Sequence, residues 1–420
     1  MKQKNIFRKS VLCIFLMLLF FATAENSFLI SDSPIGWASF TGKKDLAGNK
    51  ITPPSFVGGN SAKSKTYTVS TRKTLLSALA DSSSKIIYIQ GIIDMTDGML
   101  PSAYNQSTTK LDTFISEITV NSVHSAKNYE DWRRVYGENV VSTEDQSGTI
   151  AALQKKLSTA WKNQIILRLT SNTTIIGLGS QSGIKGCSIS IQEVSNVVIR
   201  NLLIQDAYDP FPAMEANDGL NAEWDGIVIN NSKYVWIDHC TIEDTFSSYN
   251  YITTKDNKKT KWQTYDGLLD IKSASDFITV SWCHFKNHDK TMLIGHSSSY
   301  TNDRNHQTIS LMYNFFENCN QRLPMVRFAT IHILNNYYKE VGSYAIGRRE
   351  ESNIYSENNY FEKQSTSVSN SQGKMFDSGS YNIKGTFTTK SWNPRDYYSY
   401  NVLSTEEVES LVPLNAGVTK

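Results

Sequence analysis

Between residues 197 and 363 six ten-residue segments align without gaps: VVIRNLLIQD (197–206), VWIDHCTIED (235–244), ITVSWCHFKN (278–287), ISLMYNFFEN (309–318), IHILNNYYKE (331–340) and IYSENNYFEK (354–363). Their starts lie 38, 43, 31, 22 and 23 residues apart. Apolar and β-branched residues hold register in all six, and a repeat of about 20 to 25 residues marks a solenoid in which each turn stacks on the last. From Leu167 onward no long helical period appears, so the reading is all-β: a parallel β-helix. The eighth column (Ile204, Ile242, Phe285, Phe316, Tyr338, Phe361) is expected to stack as an internal ladder. The sixth column holds Cys240, Cys283, Asn314, Asn336 and Asn359, which predicts an asparagine ladder at a bend. Stacked strands lie about 4.8 Å apart, so Cys240 and Cys283 can approach each other; a stack of free thiols is expected rather than a bond.

The longer gaps carry an excess of roughly 10 to 20 residues over the short period, which must leave the solenoid as loops. In repeat proteins such insertions commonly decorate one face, often the binding face, and here they fall between 207 and 308. Upstream, Tyr67-Thr68-Val69 and Lys85–Ile89 read as strands. Between them Ser70-Thr71 can cap a short helix carrying Leu75, Leu76 and Leu79, a candidate N-terminal cap for the solenoid. Residues 98–165 are polar and interrupted, with helix-like patches at 129–135 and 149–161, and read as a large surface insertion.

At the N-terminus, MKQKNIFRKSVLCIFLMLLFFATA (1–24) has a basic head, an apolar run and a small-residue exit. That is the layout of a secretory signal peptide, and the run is shorter than the roughly 20 residues a spanning helix needs. The expected product is an extracellular chain, 25–420, forming one solenoid domain. The 420 residues carry 42 Lys+Arg against 40 Asp+Glu, a formal charge of +2. The sign turns weakly negative once Lys2, Lys4, Arg8 and Lys9 leave with the leader. This balance excludes a disordered chain and a nucleic-acid binder with a strongly basic surface, and leaves no membrane association after leader removal. Four cysteines in the remaining chain make neither a disulfide framework nor a zinc pattern.

Charged groups gather in the loop-rich stretch. Glu223-Trp224-Asp225, Asp238-His239 and Asp266-Gly267-Leu268-Leu269-Asp270 sit at turn boundaries. On an extended strand Asp266 and Asp270 would stand about 13 Å apart, so joint ligation of an ion requires a bend, which Gly267 could supply. Carboxylates without Cys or His partners suit a hard cation, best Ca²⁺; solvated turn aspartates are the plainer alternative. Next come Asn287-His288-Asp289-Lys290 and Arg322-Leu323-Pro324-Met325-Val326-Arg327. Two arginines five apart would face opposite sides of an unbroken strand, but Pro324 cannot donate to a ladder and makes the register irregular. Surface charges are the plainer reading of these cations, and satisfied structural groups that of His239 and His288.

Taken in order, Asp225-Gly226-Ile227, VWIDHCT (235–241), DGLLDIK (266–272), ITVSW (278–282), NHDKTMLIG (287–295) and RLPMVRF (322–328) closely resemble the pectate lyases of polysaccharide lyase family one, most of all the secreted Bacillus-type enzymes. TYTVSTRKTLLSAL, KIIYIQGIID and QDAYDPFP extend the likeness upstream over nearly the whole mature chain. The resemblance implies a right-handed parallel β-helix whose long loops form a substrate cleft. It implies Ca²⁺-dependent β-elimination of α-1,4-polygalacturonate, the de-esterified backbone of pectin, by a monomeric enzyme of endo action. By motif, Asp225, Asp266 and Asp270 are similar to the calcium-binding acids, and Glu223 falls where some members are acidic and others not. Arg322 is similar to the catalytic base, Lys290 and Arg327 to substrate-binding residues, and Asp238 and His239 to a structural signature.

The implied chemistry is consistent with these residue types. The C5 proton of a galacturonate is α to the C6 carboxylate, and charge spreading onto that group on deprotonation is stabilised by a cation bridge and by Lys290 and Arg327. Three rivals remain at this level. A pectin lyase acting on methyl esters would not need the aspartates, a β-helix hydrolase needs an acid pair, and a non-catalytic polysaccharide-binding β-helix would not need Lys290, Arg322 and Arg327 together.

Overall fold

The computed structural model describes residues 33–101, 107–122, 124–141, 147–215, 219–246, 249–253, 259–363, 367–370 and 372–419. The leader at 1–24 lies outside them. The chain winds into a parallel β-helix of three sheets: one of ten strands, called here the long sheet, and two of eight. Each ten-residue repeat supplies two of the three strands in its turn. In 235–244, for example, Lys233–Asp238 joins the long sheet and Thr241–Glu243 an eight-stranded sheet. The chain then crosses to the remaining sheet, the site sheet, which includes Ser188–Gln192, Ile227–Asn230, Leu269–Lys272, Leu293–Ile294, Met325–Val326 and Ile346–Arg348.

The corner within each repeat is made by its fifth residue. Asn201, His239, Trp282, Tyr313, Asn335 and Asn358 all have φ between +44° and +58°. Non-glycine residues visit this left-handed region at a cost, as single residues rather than runs, and stacking spreads the same bend through every coil. The next column answers to the expected ladder. Asn314 Nδ2 donates to Asn336 Oδ1 at 2.9 Å, and Asn336 Nδ2 to Asn359 Oδ1 at 3.0 Å. The second amide hydrogens go to the carbonyls of Leu311 and Ile333, each at 2.9 Å, from Asn336 and Asn359. Cys240 and Cys283 continue the column as free, buried thiols.

Inside the barrel the eighth column stacks as the repeat predicts. Phe285, Phe316, Tyr338 and Phe361 follow one another at 5.0, 5.0 and 4.5 Å between ring centroids, with planes within 9° of parallel. Beside it, Ile87, Ile175, Ile199, Ile237, Val280, Leu311 and Ile333 form an aliphatic row through the long sheet, each with 0% of its surface exposed. The helix Arg72–Ala80 is capped by Thr71, whose hydroxyl accepts from Thr74 N, and buries Leu75 and Leu79 in this core.

The insertions do not all leave by one face. The segments 95–165, 206–226 and 244–268 emerge where the chain crosses to the site sheet, whereas 295–307 leaves after it, on the way to the long sheet. Residues 98–165 are also more than surface. Three helices, Thr109–Thr119, Tyr129–Tyr136 and Thr149–Ile165, pack with strands of a separate four-stranded sheet around Trp132, Trp161, Phe211 and Trp262. Composition concealed this lobe because its apolar partners, Phe211 and Trp262, lie far along the chain. A further helix, Thr405–Asn415, covers the outer side of the solenoid with Val408 and Val412 against Trp282 and Tyr313. Among the described residues no helix is long and apolar enough to cross a membrane.

Candidate active site

The site sheet explains how scattered motifs meet. On Leu269–Lys272, Leu269 and Ile271 point into the barrel while Asp270 and Lys272 alternate outward. Val228 pairs with Asp270, so Asp225, two residues before its strand, reaches the same corner from the coil below. Lys272 Nζ bridges the two acids, 3.1 Å from Asp225 Oδ2 and 2.9 Å from Asp270 Oδ2. Their other oxygens accept backbone N–H groups, Gly267 N to Asp225 Oδ1 at 3.0 Å and Leu293 N to Asp270 Oδ1 at 2.9 Å.

Gly267 serves here by leaving space rather than by a left-handed bend. A Cβ at this position would fall 2.6 Å from Asp270 Oδ1 and 2.8 Å from Asp225 Oδ1. Asp266 faces elsewhere: its Oδ1 pairs with Lys290 Nζ at 2.6 Å, and Lys290 also donates to Asn221 Oδ1 at 2.8 Å. The three predicted acids therefore share one electrostatic neighbourhood without closing to mutual oxygen spacings below 4.8 Å.

Burial pushes the Asp225 carboxyl up to about 7, with Asp270 and Asp266 adding repulsion and Lys272 opposing it. For Lys272 burial works against the charge, but Asp270 and Asp225 outweigh it and hold the ammonium above the ordinary lysine range. A buried pair of oxygen donors in which one carboxyl resists ionisation is short of positive charge. That donor chemistry, with the side-chain-free space over Gly267, fits a hard cation such as Ca²⁺ held by Asp225 and Asp270, with Asp266 beside them.

Glu223 is exposed and accepts from Ser158 Oγ at 3.3 Å. The acid beneath it is Asp209, which the sequence reading passed over although it stands in QDAYDPFP. Asp209 is fully buried and accepts from Phe211 N at 2.8 Å and Glu223 N at 3.0 Å. Burial first, then Glu223 and Asp266, push it up to about 7. Lys272 was missed likewise; its sign was the two-residue spacing from Asp270.

The arginines flank a strand of only two residues, Met325–Val326. Arg322 sits just before it at φ +61°, followed by a cis Leu323–Pro324 bond, and Phe328 turns the chain after it. The interrupted register is the one Pro324 suggested, and it leaves both guanidiniums within electrostatic reach of each other. Arg327 Nε pairs with Glu350 Oε2 at 3.2 Å. Burial, joined by the charges of Arg322 and Arg349, still holds Arg327 below the ordinary arginine value. The Arg322 side chain makes no hydrogen bond or ion pair among the described residues. On the next coil, Arg349 donates to the Ser369 carbonyl at 2.8 Å.

Asp238 and His239 lie elsewhere, on the long sheet and its corner. Asp238 Oδ1 accepts from Ser281 Oγ at 2.6 Å, and Oδ2 from Arg200 Nε at 3.0 Å and faces His239 Nδ1 at 2.8 Å. His288 is closer to the site. It joins Asp244 Oδ2 at 2.6 Å to the Asp266 carbonyl at 2.8 Å, holding that turn in place.

The fold and this row of acids and cations define a class: a parallel β-helix protein with charged groups gathered along one sheet. A model of the pectate lyase family matches residues 112–420. The chain is 31% identical over 350 residues to a pectate lyase of Bacillus subtilis, covering 78% of this chain and 79% of that protein. It is 36% identical over 283 residues to pectate lyase E of Dickeya chrysanthemi, covering 60% and 72%. Among solved structures it is similar to a thermostable pectate lyase, with TM-score 0.72, 30% identity and 93% and 98% coverage. It is also similar to a pectate lyase bound to a hexasaccharide, with TM-score 0.73, 28% identity and the same coverage. The chain belongs to the pectate lyase family and is a polysaccharide lyase of the Bacillus type.

Proposed function

We propose that the mature chain is a secreted, monomeric, calcium-dependent endo-lyase for de-esterified polygalacturonate, with Arg322 as the base. The observation that carries this reading is the contrast among the cations. Lys272, Lys290 and Arg327 are each paired with a carboxylate, while the Arg322 guanidinium beside Arg327 is committed to none.

In the proposed reaction Arg322, transiently neutral, takes the C5 proton. The C5–H electrons form the C4=C5 bond, the C4–O bond breaks, and the leaving oxygen takes one proton from solvent while Arg322 returns the C5 proton to solvent, so no water is consumed. Asp225, Asp270 and Asp266 would hold Ca²⁺, which when bound would supply positive charge to the substrate carboxylate adjacent to C5. Lys290 and Arg327 bind substrate carboxylates and strengthen that stabilisation as charge develops. For Lys290 this means sharing its ammonium between Asp266 and substrate. An arginine base works from its neutral form, which alkaline conditions populate, so activity rises toward alkaline pH.

The test is the growth of unsaturated-uronide absorbance on polygalacturonate with and without EDTA, beside highly methylated pectin. A rise on polygalacturonate that EDTA abolishes and Ca²⁺ restores is expected. An EDTA-insensitive rise, greater on the methylated polymer, would identify a pectin lyase instead.

A further inference from the structure

We propose that Asp45, Asp276 and His306 form a second metal site, separate from the Asp225–Asp270 pair, for a first-row divalent ion of the zinc or manganese kind. One ligand atom from each residue lies within 4.8 Å of the others. The three come from separate parts of the fold. Asp45 belongs to the N-terminal strap, beside the Lys44–Lys50 bridge. Asp276 opens the long-sheet strand Asp276–Ser281. His306 ends the 295–307 excursion, the one insertion that leaves the solenoid after the site sheet.

The second observation is unsatisfied polarity. Asp276 is 0% exposed, and its Oδ1 accepts from Phe277 N at 3.0 Å, Thr308 N at 2.9 Å and the Thr308 hydroxyl. Its Oδ2 is buried with no partner, and so is His306 Nδ1. A buried carboxylate oxygen without a hydrogen bond is costly, and the unpartnered imidazole of the same cluster is a natural co-ligand. Asp45 accepts from Asn49 N at 2.8 Å and Asn49 Nδ2 at 3.1 Å, which fixes its carboxylate while leaving lone pairs free. Lys233, whose charge reaches both acids, ion-pairs with neither among the described residues; its ammonium lies 5.9 Å from the centre of the Phe277 ring.

Two carboxylates and one imidazole differ in kind from the all-oxygen cleft. Imidazole selects borderline metals, whereas Ca²⁺ takes six to eight oxygens. Ligand bonds of about 2.1 Å in a tetrahedral set require donors about 3.4 Å apart, so the trio must close by somewhat over an ångström at most. The ion would tie strap, strand and excursion together.

The purified secreted protein, stripped of metal and returned to saturating Ca²⁺ to fill the cleft, is titrated calorimetrically with Zn²⁺ and with Mn²⁺. Its melting temperature is followed in parallel. One equivalent of at least one of these ions should bind and raise the melting temperature. In His306→Ala and Asp45→Asn the affinity should fall at least tenfold and the thermal gain vanish, with the lyase rate unchanged. Asp266→Asn should retain the site. Absence of saturable binding beside filled calcium sites, or binding undiminished in both variants, would overturn the assignment. Asp276→Asn is not used, because its Oδ1 bonds also hold the turn.

Discussion

Replacing Asp225 by asparagine isolates the electrostatic cost of the cleft. Burial and the neighbouring carboxylates move this carboxyl from an ordinary value of 3.8 to about 7. One pH unit is worth about 1.4 kcal/mol, so keeping Asp225 ionised in the metal-free fold costs about 4 kcal/mol, less whatever relaxation and water return. The folded state holds a proton between pH 4 and 7 that the unfolded chain has lost. Stability therefore falls as pH rises through that window and is lowest above it. The assay is urea unfolding in EDTA at pH 5 and pH 8 for wild type and Asp225→Asn. The wild type should lose up to about 2.7 kcal/mol more than the variant over this range, which covers about two pH units of that window. Added Ca²⁺ should restore the wild type at pH 8 and do little for the variant. Parallel pH profiles, or equal rescue by Ca²⁺, would refute the account of a buried, charge-starved acid pair.

Further expectations follow from the same geometry. Arg322→Lys should lower kcat by 10²- to 10⁴-fold, the range of a lost general base, with Ca²⁺ affinity unchanged by calorimetry; near-normal turnover would remove Arg322 from that role. Gly267→Ala drives a methyl group against both carboxylates and should weaken Ca²⁺ binding at least tenfold while the far-ultraviolet circular dichroism stays the same. Phe316→Ala opens the internal aromatic stack and should cost about 3–5 kcal/mol in urea unfolding, with kcat of the folded fraction preserved.

What could be read from sequence was whatever repeats. The decamers carry their own register, so the ladders of Phe316 and Asn336 were legible as columns of letters, whereas the corner formed by the fifth residue was not. The lobe was hidden because its core joins Trp132 and Trp161 to Phe211 and Trp262, with no periodicity linking them. The C-terminal helix was overlooked because Val408 and Val412 stand on one face of a short segment interrupted by Pro413. In the site, motif order located Asp225, Asp270, Lys290 and the arginines. It could not show that Lys272 lies between two acids, that Asp266 turns toward Lys290, or that Asp209 is buried beneath Glu223. Those depend on which way side chains leave adjacent coils, and a linear string does not record it.

The alternation of charge along the site sheet gives the cleft a direction. Ascending the coils, acids come first, at Asp225 and Asp270, and then arginines, at Arg322 and Arg327 and again at Arg348 and Arg349. Four coil-to-coil steps of about 4.8 Å make a gradient roughly 19 Å long. A polymer lying along the solenoid axis experiences that gradient end to end, and one lying across it meets the charges of a single coil. Because a polysaccharide chain is itself directional, its two head-to-tail orientations are not equivalent in such a field, so stacking coils of unlike charge builds a sense of reading into the enzyme.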